Sequence, residues 1–166
     1  MAIDVLLRPE DCNCFAIRSA ARHVSQFYDQ FLASVGLRTT QFSILATLER
    51  LGPLTINALA KSMIIDRTTL GRNVLPLERD GLIRIEPTPS DRRAKELRLT
   101  GTGEKRLQAA LKVWTHAQAQ FETSFGVKRA AELRALLRSA AANELDSKAS
   151  TVSRQRGTRR VSSDVK

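Results

Sequence analysis

Hydrophobic and polar positions alternate along this chain with helical periods at both ends and a strand period in between. Ile17, Ala21, Val24, Tyr28 and Phe31 recur at three- and four-residue spacing, widened by Phe27 and Leu32. This predicts a long amphipathic helix over about 10–34, closed by Gly36. Phe42, Leu45, Ala46 and Leu48 predict a second helix over about 39–51, stopped by Gly52-Pro53. Thr55 is placed to cap a short third helix carrying Ile56, Leu59 and Ala60. After a turn, Asp66 is placed to cap a fourth, on which Leu70, Val74 and Leu77 form one apolar face. Pro76 lies inside that fourth pattern and predicts a bend, because it has no N–H and its ring crowds the carbonyl one turn back. Gly81 suits a left-handed stop.

The period then changes. Leu82–Glu86 is rich in β-branched residues, and Glu96–Thr100 alternates polar with apolar positions. The turn-rich segment between them, Pro87 to Arg93, predicts a β-hairpin. Two further helices follow. Leu107, Leu111, Trp114, Ala117, Phe121 and Phe125 mark one of them. Leu133, Leu136, Leu137, Ala140 and Ala141 mark the inward face of the other, over about 128–145. The expected fold class is mainly α with a small β-hairpin wing, a winged helix-turn-helix flanked by dimerisation helices. The expected domains are 1–35, an N-terminal extension and dimerisation helix; 36–101, the winged helix-turn-helix; 102–145, the C-terminal dimerisation helices; and 146–166, a basic disordered tail.

Two short helices joined by a tight turn, the second with a polar N-terminal half, make the helix-turn-helix arrangement. On the fourth helix Thr68 and Arg72 fall opposite the apolar face, with Thr69 and Asn73 on its flanks. Short hydrogen-bonding side chains and a guanidinium are suited to base edges and phosphates. The same pattern also fits an ordinary helix with its polar side in water. Arg92 and Arg93, in the hairpin loop, are placed to reach a minor groove or its flanking phosphates, with Asp91 available to hold Arg93 extended. A solvated charged hairpin is the plainer alternative.

Charge changes the balance. The formal net charge of the 166 residues is +10. Residues 54–106 hold eleven Lys/Arg against seven Asp/Glu, and residues 146–166 hold six against two. A basic excess around the helix-turn-helix and in the tail favours a polyanionic partner, and double-stranded DNA fits the motif. Arg154, Arg156, Arg159 and Arg160 in the tail are candidates for nonspecific phosphate contacts, or for no specific role. No apolar run reaches membrane-spanning length and the N-terminus lacks a basic start, so a cytoplasmic chain without a membrane partner is expected. No nucleophile–base pair, paired carboxylates or phosphate-binding glycine loop points to an enzyme, and no cofactor is called for.

Cys12 and Cys14 sit at the predicted start of the first helix. They admit three readings: packing as small hydrophobes, a redox switch favoured by the helix N-terminus, or two ligands of a metal. Packing ranks first and metal last, because no other cysteine exists and His23 and His116 are isolated in sequence.

Asp66-Arg67-Thr68-Thr69-Leu70, followed by Leu77-Glu78-Arg79-Asp80-Gly81-Leu82-Ile83, resembles the recognition helix and wing approach of the MarR family of winged-helix transcriptional regulators. Asp91-Arg92-Arg93, Leu97-Arg98-Leu99-Thr100 and Gly103 resemble that family's wing and the start of its next helix. The resemblance is specific over 55–103, and elsewhere, over about 10–145, rests on the order of helices. Pro76 departs from the most familiar pattern. The resemblance implies a homodimer on a palindromic operator, with DNA contacts from Thr68, Thr69, Arg72, Asp91 and Arg93. It also implies repression relieved by a small, often aromatic or phenolic, effector bound between the dimerisation helices and the DNA-binding lobe. Some members sense oxidants through a cysteine near the N-terminus, which makes a thiol-based regulator acting through Cys12 and Cys14 one alternative. An architectural DNA-binding protein with no effector is another.

Overall fold

The computed structural model describes residues 8–88 and 94–142. It divides into two compact units, Met1–Gln120 and Phe121–Lys166.

In the first unit, a 3-10 turn at Pro9–Asp11 leads into α1 (Asn13–Leu32), and a second 3-10 turn, Ala33–Val35, closes it. The expected single helix over 10–34 is therefore a shorter α-helix between two tighter turns. Tyr28 and Leu32 are buried and Val24, Phe27 and Phe31 are half-buried, whereas Ile17 and Ala21 at the other end are exposed. The apolar stripe of α1 is covered only toward its C-terminus.

α2 (Thr39–Leu51) begins with a cap that comes from another helix. Asp29 of α1 accepts hydrogen bonds from both the amide and the hydroxyl of Thr39, each at 2.6 Å. Those contacts satisfy one of the orphan donors of the α2 N-terminus and place negative charge at its positive end. Gln41 Oε1 accepts the Arg38 amide at 2.9 Å and satisfies another group at the same terminus.

A two-residue strand, β1 (Leu54–Thr55), precedes α3 (Ile56–Met63); the hairpin strands are β2 (Ile83–Pro87) and β3 (Lys95–Leu99). The sheet has the order β1-β3-β2 and both pairings are antiparallel. The expected two-stranded hairpin is thus a three-stranded sheet. Its register sets Arg84 opposite Arg98 and Glu86 opposite Glu96. Like charges directly opposite one another are unfavourable. The conflict is relieved by opposite charges along and across the strands: Arg84 binds Glu86 on its own strand, and Arg98 binds Glu96 on its own strand and Glu86 diagonally across.

α4 (Arg67–Arg79) runs through Pro76 without a break. It ends in a paired motif in which the Leu82 amide donates to Leu77 O and the Gly81 amide to Glu78 O, both at 2.9 Å. Gly81 is at φ +69, the left-handed conformation this stop requires. α5 (Gly101–Phe125) is then locked to the same corner. Thr100 Oγ1 donates to Gly81 O at 2.7 Å and accepts the Gly103 amide at 3.0 Å.

The core of this unit collects Leu32 and Leu37, Phe42, Ile44, Leu45 and Leu48 of α2, Leu59 and Ala60 of α3, and Leu70, Val74 and Leu77 of α4. Leu82, Ile83, Leu97, Leu107 and Ala110 complete it. Helix-turn-helix, sheet and the first turns of α5 therefore share one interior. Trp114 of α5 stacks on Phe42, centroids 6.0 Å apart, at its margin.

In the second unit, Phe121 stacks on Phe125 at the end of α5, and Arg129 lies 4.6 Å above the Phe125 ring. Gly126 separates α5 from α6 (Val127–Ala142), and Arg134 binds Glu122 at 2.9 Å across that break. Among the described residues of this unit, the inward face expected for α6 is mostly exposed. Leu136 is 68% exposed, Leu137 is also exposed, and Ala130 is the buried residue. Ala140 and Ala141 are exposed as well.

Candidate nucleic-acid interface

The helix-turn-helix pair is built from two capped helices and one strained turn. Thr55 Oγ1 accepts the Ala58 amide at 3.2 Å at the start of α3. Asp66 Oδ1 accepts the Thr69 amide at 2.8 Å at the start of α4. Hydrogen bonding from the Thr69 hydroxyl, and then from its amide, holds the Asp66 carboxyl below its ordinary pKa. Between the helices, Ile64 takes the left-handed conformation at φ +52. The amide of the next residue, Ile65, donates back to Ala60 O at 3.0 Å, which closes α3 in the manner usually served by glycine. A β-branched residue there is a backbone outlier.

The apolar face predicted for α4 is buried as expected: Leu70, Val74 and Leu77 are each 2% exposed or less. The opposite side is open. Thr68, Thr69 and Arg72 are exposed, and Asn73 is half-buried on the flank. The Asn73 amide group donates to Thr69 O at 2.9 Å, so one of its donors is turned onto its own helix. Among the described residues, Arg67 and Arg72 make no ion pair or side-chain hydrogen bond. Two unpaired guanidiniums thus lie on the first half of α4. Asp91, Arg92 and Arg93 lie outside the described residues, as do the arginines of the tail. The structure therefore places Thr68, Thr69, Arg72 and Asn73 together, and adds Arg67, which the sequence reading had not singled out. Its signal was its position directly after the cap.

Cys12 is the N-cap residue of α1 and Cys14 lies in its first turn; both are free and exposed. Within a single chain neither packs in a core, contrary to the reading ranked first. No group of three His, Cys, Asp or Glu side chains among the described residues is placed to hold a metal ion. No helix of the described residues is long and apolar enough to cross a membrane.

An exposed, cation-bearing helix seated on a buried apolar face, with a sheet beside it, defines a winged helix-turn-helix DNA-binding protein. The MarR family model matches residues 37–95, a span that runs from just before α2 through β2 to the first residue of β3. The transcriptional regulator MosR of M. tuberculosis is similar in structure over 82% of this chain and 100% of its own, with 34% identity and a TM-score of 0.69. The same regulator in complex with DNA is 36% identical, covering 80% of this chain and 99% of that one, with a TM-score of 0.65. The transcriptional repressor CouR, bound to a 23-mer DNA duplex, is 26% identical over 80% of this chain and 94% of its own, with a TM-score of 0.72. A comparison with curated proteins gives no match. The chain belongs to the MarR family and is a DNA-binding transcriptional regulator.

Proposed function

We propose that this chain is a homodimeric repressor that sets its two α4 helices into successive major grooves of a palindromic operator and is released by a small ligand. The observation that carries this reading is the open face of α4, with Thr68 and the unpaired Arg72 opposite a fully buried apolar stripe. Thr68 supplies a hydroxyl to base edges, Arg72 and Arg67 supply charge to phosphates or guanine, and Thr69 and Asn73 flank them. Asp91, Arg92 and Arg93 would provide the wing contact, and the basic tail beyond 146 a nonspecific one.

Dimerisation is supported by apolar surface left open in each unit. Phe15 and Ile17 stand exposed on α1, and Val127, Leu136 and Leu137 on α6. A second copy of the chain would cover these, in keeping with dimerisation segments at 1–35 and 102–145 around a DNA-binding segment at 36–101. Two-fold symmetry then places the α4 helices about one helical turn of DNA apart.

The effector reading is supported by an open cleft of about 500 Å³ between the end of α1 and the start of α2. Gln26, Asp29, Gln30, Leu37, Arg38 and Gln41 are among its walls. It joins the expected dimerisation helix to the DNA-binding segment. A ligand there acts only if it binds one spacing of the α4 helices more tightly than another. A repressor role follows the similarity to CouR, itself a repressor.

Selection of bound duplexes from a random pool tests the reading. A palindrome, bound by a particle of twice 18.4 kDa, is the expected result. Equal affinity for selected and random DNA would contradict it.

A second reading, in which Cys12 and Cys14 switch DNA binding on oxidation, is favoured by the exposure of both thiols at the N-terminus of α1. Under it, peroxide lowers operator affinity reversibly with reductant, and the double Cys→Ser variant does not respond.

A further inference from the structure

The outward face of α4 does not end at Arg72. On a 3.6-residue wheel Thr68, Arg72, Leu75 and Arg79 share one arc, opposite Leu70, Val74 and Leu77. Leu75 is 63% exposed. A single exposed leucine is ordinary on a protein surface. This one is on the same face as the side chains assigned to DNA, one turn beyond Arg72. Arg79, at the far end of the arc, is turned onto its neighbour Asp80 at 3.1 Å, so its charge is partly neutralised within the protein. Leu75 is the apolar member of this arc, between Arg72 and Arg79.

Its chemistry narrows what it can recognise. An aliphatic side chain makes no hydrogen bond and gains nothing from a phosphate. Among the groups that base pairs present in the major groove, the C5-methyl of thymine is the apolar one. We propose that Leu75 is a specificity-determining residue that packs on a thymine methyl in each operator half-site. The inference rests on the DNA-binding reading of α4. The axial rise from Thr68 to Leu75 is about 10 Å, or about three base-pair steps of 3.4 Å. The thymine should then lie within about three base pairs of the base that Thr68 reaches. Exposure of Leu75 in the free protein and contact in the complex give the discrimination an apolar origin: a methyl is withdrawn from water only when the base is thymine.

The experiment begins with the duplex that the wild-type protein selects from a random pool. Each thymine is replaced in turn by uracil, which removes the methyl and leaves the pairing edge intact. Wild-type affinity should fall about four-fold per half-site at one symmetry-related position, the scale of uncovering one buried methylene-sized group. Leu75→Ala should bind the parent duplex more weakly and be indifferent to uracil at that position, while keeping its response to changes under Thr68. Leu75→Met should retain the methyl preference. Because Leu75 is exposed and Ala is a good helix former, the Leu75→Ala melting curve should match that of wild type. Indifference of the wild type to uracil at every thymine, or equal losses in wild type and Leu75→Ala, would overturn the assignment. Failure of the wild type to select any sequence would instead overturn the DNA-binding reading beneath it.

Discussion

Gly103 stands against the carbonyl oxygen of Leu82 with no room for a side chain. A Cβ at this position would lie 2.0 Å from that oxygen and 2.8 Å from Leu99 Cδ1. The contact joins the first turn of α5 to the residue that leaves the α4 stop and enters β2. The Thr100 amide donates to the same Leu82 oxygen at 3.1 Å, so two backbone segments close on one point. Gly103→Ala must push α5 off this corner. Overpacking of this kind costs about 1–3 kcal/mol. The variant should melt well below wild type by circular dichroism, and an unchanged melting temperature would contradict the packing described.

The Asp66 cap makes a pH prediction with a definite sign. Its carboxyl is lowered from the ordinary 3.8 by hydrogen bonds that exist only in the folded helix. A lowered folded-state pKa contributes stability that is fully present above the unfolded value and is lost as pH falls through the folded one. Wild type should therefore lose part of its stability below about pH 4 through this group. Asp66→Asn keeps a side-chain acceptor without the titration. The difference in melting temperature between wild type and Asp66→Asn should shrink in favour of the variant as pH falls through that window. Parallel curves down to the acid limit would contradict the assignment.

Ile64 holds a left-handed backbone that costs a β-branched residue about 1–2 kcal/mol. Its side chain is 78% exposed, so little packing offsets that cost. Glycine accepts the conformation freely but brings about 0.5–1 kcal/mol of extra chain entropy to the unfolded state. Ile64→Gly should then be stabilising by up to about 1 kcal/mol, the difference of those two terms. Urea titration measures it, and a clear loss of stability would show that the side chain makes a contact that matters.

What could be read from the sequence was local. Thr55 and Asp66 cap helices through side chains that reach three residues along the chain, and Gly81 stops α4 through its own backbone, so residue type and position suffice. The burial of Leu70, Val74 and Leu77 follows from spacing in the same way. What could not be read depends on residues far apart in sequence. β1 is two residues long and exists because Leu54 and Thr55 pair with Leu97 and Glu96. The cap of α2 comes from Asp29, ten residues upstream on another helix. The apolar run Met63-Ile64-Ile65 gave no sign that its middle residue would be left-handed. On α6 the leucine spacing marks an apolar face, yet Leu136 and Leu137 are exposed. Leu75 shares the outward arc of α4 with Arg72 and stands exposed there although it is apolar.

We propose that the open face of α4 reads DNA through Arg72. It is tested most directly by titrating wild type and Arg72→Ala against the duplex selected by the wild type, over a range of salt concentrations. Arg72 is exposed and unpaired, so the variant should melt as wild type does. Its affinity should fall by about 1–3 kcal/mol if the guanidinium holds a base. If it neutralises a phosphate, the slope of log affinity against log salt should become shallower by about one. Unchanged affinity and an unchanged slope in a folded Arg72→Ala protein would contradict the docking of α4.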